Sequence, residues 1–216
     1  MRRIPSVFFA LTLLGAGGSI PAAQAAAFNI EGKYELVQPP QPTETPGKIE
    51  VVDVFWYGCP HCFHVLPFVE RFEQSMPDDV AMRHLPAVFR KSWEIGARAY
   101  YTAKLLGVDK QIHVPIFNAI HKNGQRLGTK EKLRDFFAKF GVSKSDFDKA
   151  YDSFSVNASI RKSVVMQRRY GVRGTPTFIV AGKYRVSPST AGGYENSLKV
   201  VQALVDKQRK TNLATQ

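Results

Sequence analysis

Cys59-Pro60-His61-Cys62 contains both cysteines of this 216-residue chain, spaced so that they can form a disulfide with each other, and its flanks decide the fold. Before it, the run from Ile49 to Tyr57 carries apolar residues on both faces, the pattern of a buried strand. After it, from Pro60 to Gln74, Phe63, Leu66, Val69 and Phe72 recur three apart in helical fashion. Cys59 is therefore expected at a helix N-terminus.

Unsatisfied N–H groups at that position favour a thiolate and lower a pKa that is about 8.5 in a free cysteine. Pro60 suits the first helical position, where its missing N–H would have had no intrahelical partner. A protonated His61 ring would stabilise the anion further. Pro67, inside the same helix, removes the bond to the Phe63 carbonyl and is expected to kink it. A stable thiolate makes the disulfide easy to reduce, so the pair tends to pass its disulfide to other proteins.

Other uses of the two cysteines fit less well. A zinc site needs four ligands, and no second Cys-x-x-Cys or His-x-x-x-His accompanies the first; His64, two positions from Cys62 on a helix, points elsewhere. Haem attachment needs His directly after the second cysteine, where Phe63 stands. A purely structural disulfide would close a tiny loop and constrain little of the unfolded chain. No metal and no bound cofactor is expected.

The compartment is read from the N-terminus. Arg2 and Arg3 precede an apolar run from Val7 to Leu14, and small residues culminate in Ala23-Gln24-Ala25 and Ala26-Ala27, the layout of a cleaved secretory signal within residues 1–27, cut after Ala25 or after Ala27. Its apolar part is short for a membrane span. Loss of Arg2 and Arg3 takes the formal charge from +12 to +10. The cations at Lys130, Lys132, Arg134, Lys139 and Lys144 are interleaved with Glu131 and Asp135, a solvated helical surface rather than a nucleic-acid patch, so no nucleic-acid partner is expected.

About 190 residues follow the signal. Residues 28–48, with a stretch rich in proline and threonine from Gln38 to Gly47, read as an extended lead-in. A second strand spans Val80 to Leu85. Helical patterns then run through Ala97, Tyr100, Tyr101 and Leu105, ending at Gly107, and through Val114 to Ile120. Leu133, Phe136, Phe137 and Phe140 follow, with Thr129 as N-cap and Gly141 as stop. Ser143 and Asp146 have capping-box spacing ahead of Phe147, Ala150 and Tyr151, and a further helix runs from about Ala158 to Tyr170. Thr177 to Val180 and Lys183 to Val186 read as a hairpin turning at Ala181-Gly182, and Leu198, Val201, Leu204 and Val205 mark a last helix. This order predicts an α/β, thioredoxin-like fold with an inserted helical domain: 49–91 and 171–210 form the thioredoxin-like part and 92–170 the insertion.

Cys59-Pro60-His61-Cys62, the stretch from Gly171 to Val180 that reads Gly-Val-Arg-Gly-Thr-Pro-Thr-Phe-Ile-Val, and Gly182-Lys183-Tyr184 together resemble the bacterial DsbA family of periplasmic disulfide oxidases, from about Ile49 to the last helix. The resemblance implies that Cys59 is an exposed nucleophile forming the mixed disulfide and Cys62 its buried partner. It implies that Pro60 and His61 tune the potential. Thr175 and a cis Pro176 would form the loop facing the sulfurs, where the Thr175 backbone pairs with an extended substrate. Asp53 stands where relatives often carry a buried glutamate, a candidate proton relay for Cys62 with Arg83 as its expected charge partner. The implied activity is donation of the Cys59–Cys62 disulfide to unfolded exported proteins with free cysteines. The implied partner is a quinone-linked membrane reoxidant of the DsbB type, and the protein would be a periplasmic monomer. A reductase or isomerase of the same fold and a chaperone-like peptide-binding module are the alternatives; the family's isomerases carry an N-terminal dimerisation domain, for which little chain precedes Ile49.

Overall fold

The computed structural model describes residues 28–214. The expected signal at 1–27 lies outside the described residues. In chain order the elements are β1 (Glu35–Leu36), β2 (Ile49–Phe55), α1 (Pro60–Ser75), β3 (Val80–Pro86), α2 (Glu94–Leu105), α3 (Asp109–His121), α4 (Lys130–Ala138), α5 (Lys144–Tyr151), α6 (Phe154–Arg169), β4 (Thr177–Val180), β5 (Tyr184–Val186), α7 (Pro188–Ala191) and α8 (Tyr194–Ala214).

All seven residues of β2 are buried, because the strand is interior to the sheet and covered on both faces. The sheet order is β1-β5-β4-β2-β3, with β3 parallel to β2 through the α1 crossover and β4 antiparallel to it. On one face Ile49 and Val51 meet Val65, Val69 and Phe72 of α1 and Leu198, Val201 and Leu204 of α8. On the other, Val52 and Val54 meet Met166 and Tyr170 at the end of α6. Phe55, at the strand's end, packs in a different cluster, with Cys62 and Leu66 of α1 and with Ile112, Phe117, Phe137 and Phe147 of the helices between β3 and β4. One strand thus ties the sheet to the helical block just before it delivers the cysteines.

Local signals account for most of the boundaries. Thr129 accepts the Lys132 N–H at the start of α4, and Ser143 accepts the Asp146 N–H at 3.0 Å at the start of α5. The capping box is half formed, since the Asp146 carboxylate takes the Ser143 hydroxyl at 2.7 Å rather than its N–H. Two helices are longer than their apolar patterns suggest: α3 starts at Asp109 and α6 at Phe154, capped by Ser153. Leu105 lies outside the buried stripe of α2, half exposed.

The lead-in is more than an extended approach. Glu35 and Leu36 pair with β5 as an edge strand, and the Val37 and Gln41 N–H groups bond to the carbonyls of Lys183 and Gly182 at 2.8 and 2.9 Å. Those bonds run to the β4–β5 turn, whose Ala181 and Gly182 both have positive φ, 51° and 65°. Gly182 also faces the Gln41 backbone so closely that a side-chain carbon there would overlap the Gln41 carbonyl. Gly182→Ala should therefore cost about 1–3 kcal/mol, read as a fall in midpoint temperature by thermal denaturation.

Candidate active site

Cys59 is the N-cap of α1 and Pro60 its first residue. The Cys59 N–H donates to the Trp56 carbonyl at 2.9 Å, and its carbonyl accepts the Phe63 N–H at 3.1 Å, so the cysteine is fixed by the turn that links β2 to the helix. Both cysteines are free in this structure, which therefore describes the dithiol form. Cys59 is 6% exposed and Cys62 2%. The expectation of an openly exposed Cys59 is corrected accordingly: the loop carrying Thr175 lies over its sulfur, and its Sγ–H reaches the Thr175 carbonyl at 3.3 Å. The Thr175–Pro176 peptide bond is cis.

The two thiols are driven in opposite directions. A hydrogen bond from Cys62 is the main stabiliser of the Cys59 thiolate; the Thr175 side chain and the backbone N–H groups of Cys62 and His61 add to it, and against the opposing cost of burial they bring Cys59 to about 5. Burial pushes Cys62 well above the ordinary thiol value, and the hydrogen bond it gives and the charges of Cys59 and Asp53 push it further. Two cysteines three residues apart on one helix are thereby made unequal, one an anion near neutrality and the other a thiol.

His61 contributes differently from the sequence expectation. Its ring is turned to Tyr194, Nδ1 to Oη 2.6 Å, and what supports the sulfur is its main-chain N–H at the helix start. Beside this pair a cavity of about 680 Å³ is lined by His61, Arg173, Thr175, Pro176, Ser187 and Tyr194.

Asp53 is 4% exposed, and its partner is His84, Oδ2 to Nδ1 3.1 Å, not Arg83. The register explains the correction. Asp53 lies opposite His84 in the parallel β2–β3 pair, while Arg83 projects to the other face, where it binds the buried Glu50 at 3.0 Å and Glu44 at 3.1 Å. His84 also reaches Glu73 through Nε2 at 3.0 Å. Burial disfavours charge on His84, but its hydrogen bonds to the two carboxylates outweigh that and raise it to about 9. Burial raises Asp53 despite His84, and its second oxygen is buried without a hydrogen-bond partner. The ring of His113 stacks on His84, 4.6 Å between centroids, and bonds the Tyr57 hydroxyl at 2.9 Å; burial, then the charge of His84, push it well down.

The chain is similar to known proteins along most of its length. Residues 84–192 match the family model described as the DSBA-like thioredoxin domain. The chain is 37% identical over 198 residues to the thiol:disulfide interchange protein DsbA of Azotobacter vinelandii, covering 92% of each chain. It is 41% identical over 189 residues to that of Pseudomonas syringae pv. tomato, covering 87% of this chain and 88% of the relative. This chain belongs to the DsbA family. Among solved DsbA structures, that of Pseudomonas aeruginosa superposes with a TM-score of 0.80 at 38% identity over 84% of this chain and 95% of the other. The oxidoreductase DsbA from Xylella fastidiosa gives 0.77 at 32% identity, over 82% and 96%. As a DsbA-family member the chain has the thioredoxin-like fold and is a thiol:disulfide oxidoreductase.

Sequence reasoning did not find His84, Glu73 or Tyr194 in this DsbA-family site. The one available signal was the alternation along β3, which places His84, and not Arg83, on the face of Asp53 once the strands are aligned in register.

The depressed Cys59 value has a linked effect on stability. The folded value, about 5, lies below the free-thiol value of about 8.5, so the thiolate stabilises the reduced protein fully above the latter, and the gain disappears as pH falls through the former. At pH 7 the gain is about 2–3 kcal/mol. Urea unfolding of the reduced protein and of Cys59→Ser should show the wild type's margin shrinking by that amount between neutral pH and about pH 4.

Proposed function

We propose that the protein is a periplasmic disulfide donor, directed there by the signal within residues 1–27, which is then cleaved, and that it oxidises cysteines of unfolded exported proteins. The observation that carries this reading is the inequality of the two thiols: a Cys59 thiolate favoured down to about pH 5 is a good leaving group and stabilises the reduced form, which makes the disulfide form oxidising.

A substrate thiolate attacks Cys59 Sγ of the disulfide, the Cys59–Cys62 bond breaks, and Cys62 leaves with the electron pair and takes up a proton. A second substrate thiolate then attacks the substrate sulfur bonded to Cys59. The substrate disulfide forms, Cys59 departs as thiolate, and two electrons have moved from substrate to enzyme. Thr175 and Pro176 border the 680 Å³ cavity in which an extended substrate segment lies, with the Thr175 backbone available for pairing. Pro60 sets the helix start that holds Cys59, and His61, through its N–H, supports the thiolate.

Asp53 serves as the proton donor to the departing Cys62. Its raised affinity for a proton and its unpartnered oxygen suit that role, and its charge acts on Cys62 directly. Reoxidation falls to a quinone-linked membrane protein of the DsbB type, and the protein works as a monomer without a bound cofactor.

The deciding measurement is the equilibrium of the purified mature protein with glutathione, followed together with thiolate absorbance across pH. A couple well above the glutathione pool and a Cys59 pKa near 5 are expected; a reducing couple with a near-neutral pKa would place the protein among reductases or isomerases. Cys59→Ser should abolish oxidation of a reduced model protein. Asp53→Asn should leave the Cys59 titration near its wild-type position while slowing oxidation about tenfold or more.

A further inference from the structure

A second cavity reaches the residue before Cys59, and the mechanism above leaves it unused. It measures about 290 Å³, shares no lining residue with the groove at Thr175-Pro176, and is bounded by Gly58, the residue directly before the cysteine. Its walls are carbon: Trp56, Ile95, Ile116, Ile120, Leu127 and Leu133, from the β2–α1 turn, from α2, α3 and α4, and from the loop before α4. Gln125 and Arg126 supply the polar rim.

The cavity is held open by packing. The Trp56 indole stacks on Trp93 with centroids 3.9 Å apart and planes 2° from parallel. Gly58 leaves room for that indole, since a side-chain carbon at residue 58 would run into the ring. At Gly96, which lines the cavity from α2, an added carbon would sit 3.7 Å from the rings of Trp56 and Tyr57, in ordinary contact, so a side chain can be placed there without a clash at its first carbon. A preformed apolar hollow costs a ligand little reorganisation. Its volume is at the small end of ligand sites, about right for one large apolar side chain.

Position selects the occupant. On the function proposed above, a partner's cysteine is bonded to Cys59 in the mixed disulfide, and in an extended chain its neighbours lie about 3.3 Å apart per residue. Gly58 lines the cavity and directly precedes Cys59, so a side chain one or two residues from that cysteine is within reach of it. We infer that this cavity is a side-chain subsite for an aromatic or large aliphatic residue within two positions of the substrate cysteine, so that the preferred substrates are cysteines flanked by apolar residues. Folded proteins bury such side chains and unfolded ones present them, so the subsite selects cysteines before their surroundings have folded.

The test fills the hollow from α2. Gly96→Leu puts an isobutyl group into the cavity and replaces a poor helix former by a good one, and Gly96→Ala is the control that leaves most of the space. Each protein in its disulfide form is reacted with two dithiol peptides that differ only in Phe or Ser two residues from the first cysteine, and with dithiothreitol. Wild type and Gly96→Ala should oxidise the Phe peptide roughly tenfold faster or more than the Ser peptide. Gly96→Leu should bring the ratio close to one by slowing the Phe peptide alone, with the dithiothreitol rate unchanged. Equal rates for the two peptides in wild type, or a ratio that survives Gly96→Leu, would overturn the subsite while leaving the disulfide-donor reading in place. A wild type that fails to oxidise dithiothreitol would remove that reading and the subsite with it. If the occupant were a second copy of the chain, sedimentation would show a dimer that Gly96→Leu disperses, and the inference would equally fall.

Discussion

A sulfur anion set almost out of reach of water survives only if hydrogen bonds replace the hydration it has lost. At Cys59 the replacement comes from four places: the Cys62 thiol one helical turn on, the Thr175 side chain across the fold, and the main-chain N–H groups of His61 and Cys62. Those donors converge only if α1 starts where it does and if β4 brings its preceding loop over the helix end. Both conditions trace to β2. It carries the turn into α1 at its end and pairs with β4 from Val51↔Val180 to Val54↔Thr177, so the loop at 175–176 is held next to residue 59 by sheet register.

The same strand separates two kinds of buried charge. Glu50 and Asp53 both sit in β2, and their opposite parity sends them to opposite faces. Glu50 is closed into an ion pair with Arg83, extended by Glu44 and Lys162 to the surface, and this network is complete on its own. Asp53 is left with one satisfied oxygen and one orphan, on the face that carries Cys62. A buried carboxylate with spare capacity costs more to fold around than a saturated one. The asymmetry puts the unsatisfied member on the side of the strand where the proposed mechanism needs a proton donor.

How much of this was legible depended on the range over which each feature is determined. The burial of β2, the start of α1 at Pro60, the Thr129 and Ser143 caps and the turn at Ala181-Gly182 are settled by neighbours within a few residues, and the sequence reveals them. Features set by partners far along the chain stayed hidden. Glu35 and Leu36 have no strand signature, and they pair with β5 through main-chain bonds that their side chains do not announce. The choice of His84 over Arg83 for Asp53 needs the β2–β3 register, and the orientation of the His61 ring depends on Tyr194, 133 residues later. A histidine beside a cysteine suggests an imidazolium acting on the sulfur. The fold uses that residue's amide instead and gives the ring to another partner.

The stack of Trp56 on Trp93 has a spectroscopic side. These are the chain's two tryptophans, and they lie face to face, with the Trp56 carbonyl accepting the Cys59 N–H. All indole emission of the molecule therefore originates at the redox centre, and two parallel indoles at van der Waals distance share their excitation. The protein carries its intrinsic optical probe in the turn that leads into its redox helix, beside the residue whose thiol–disulfide state changes.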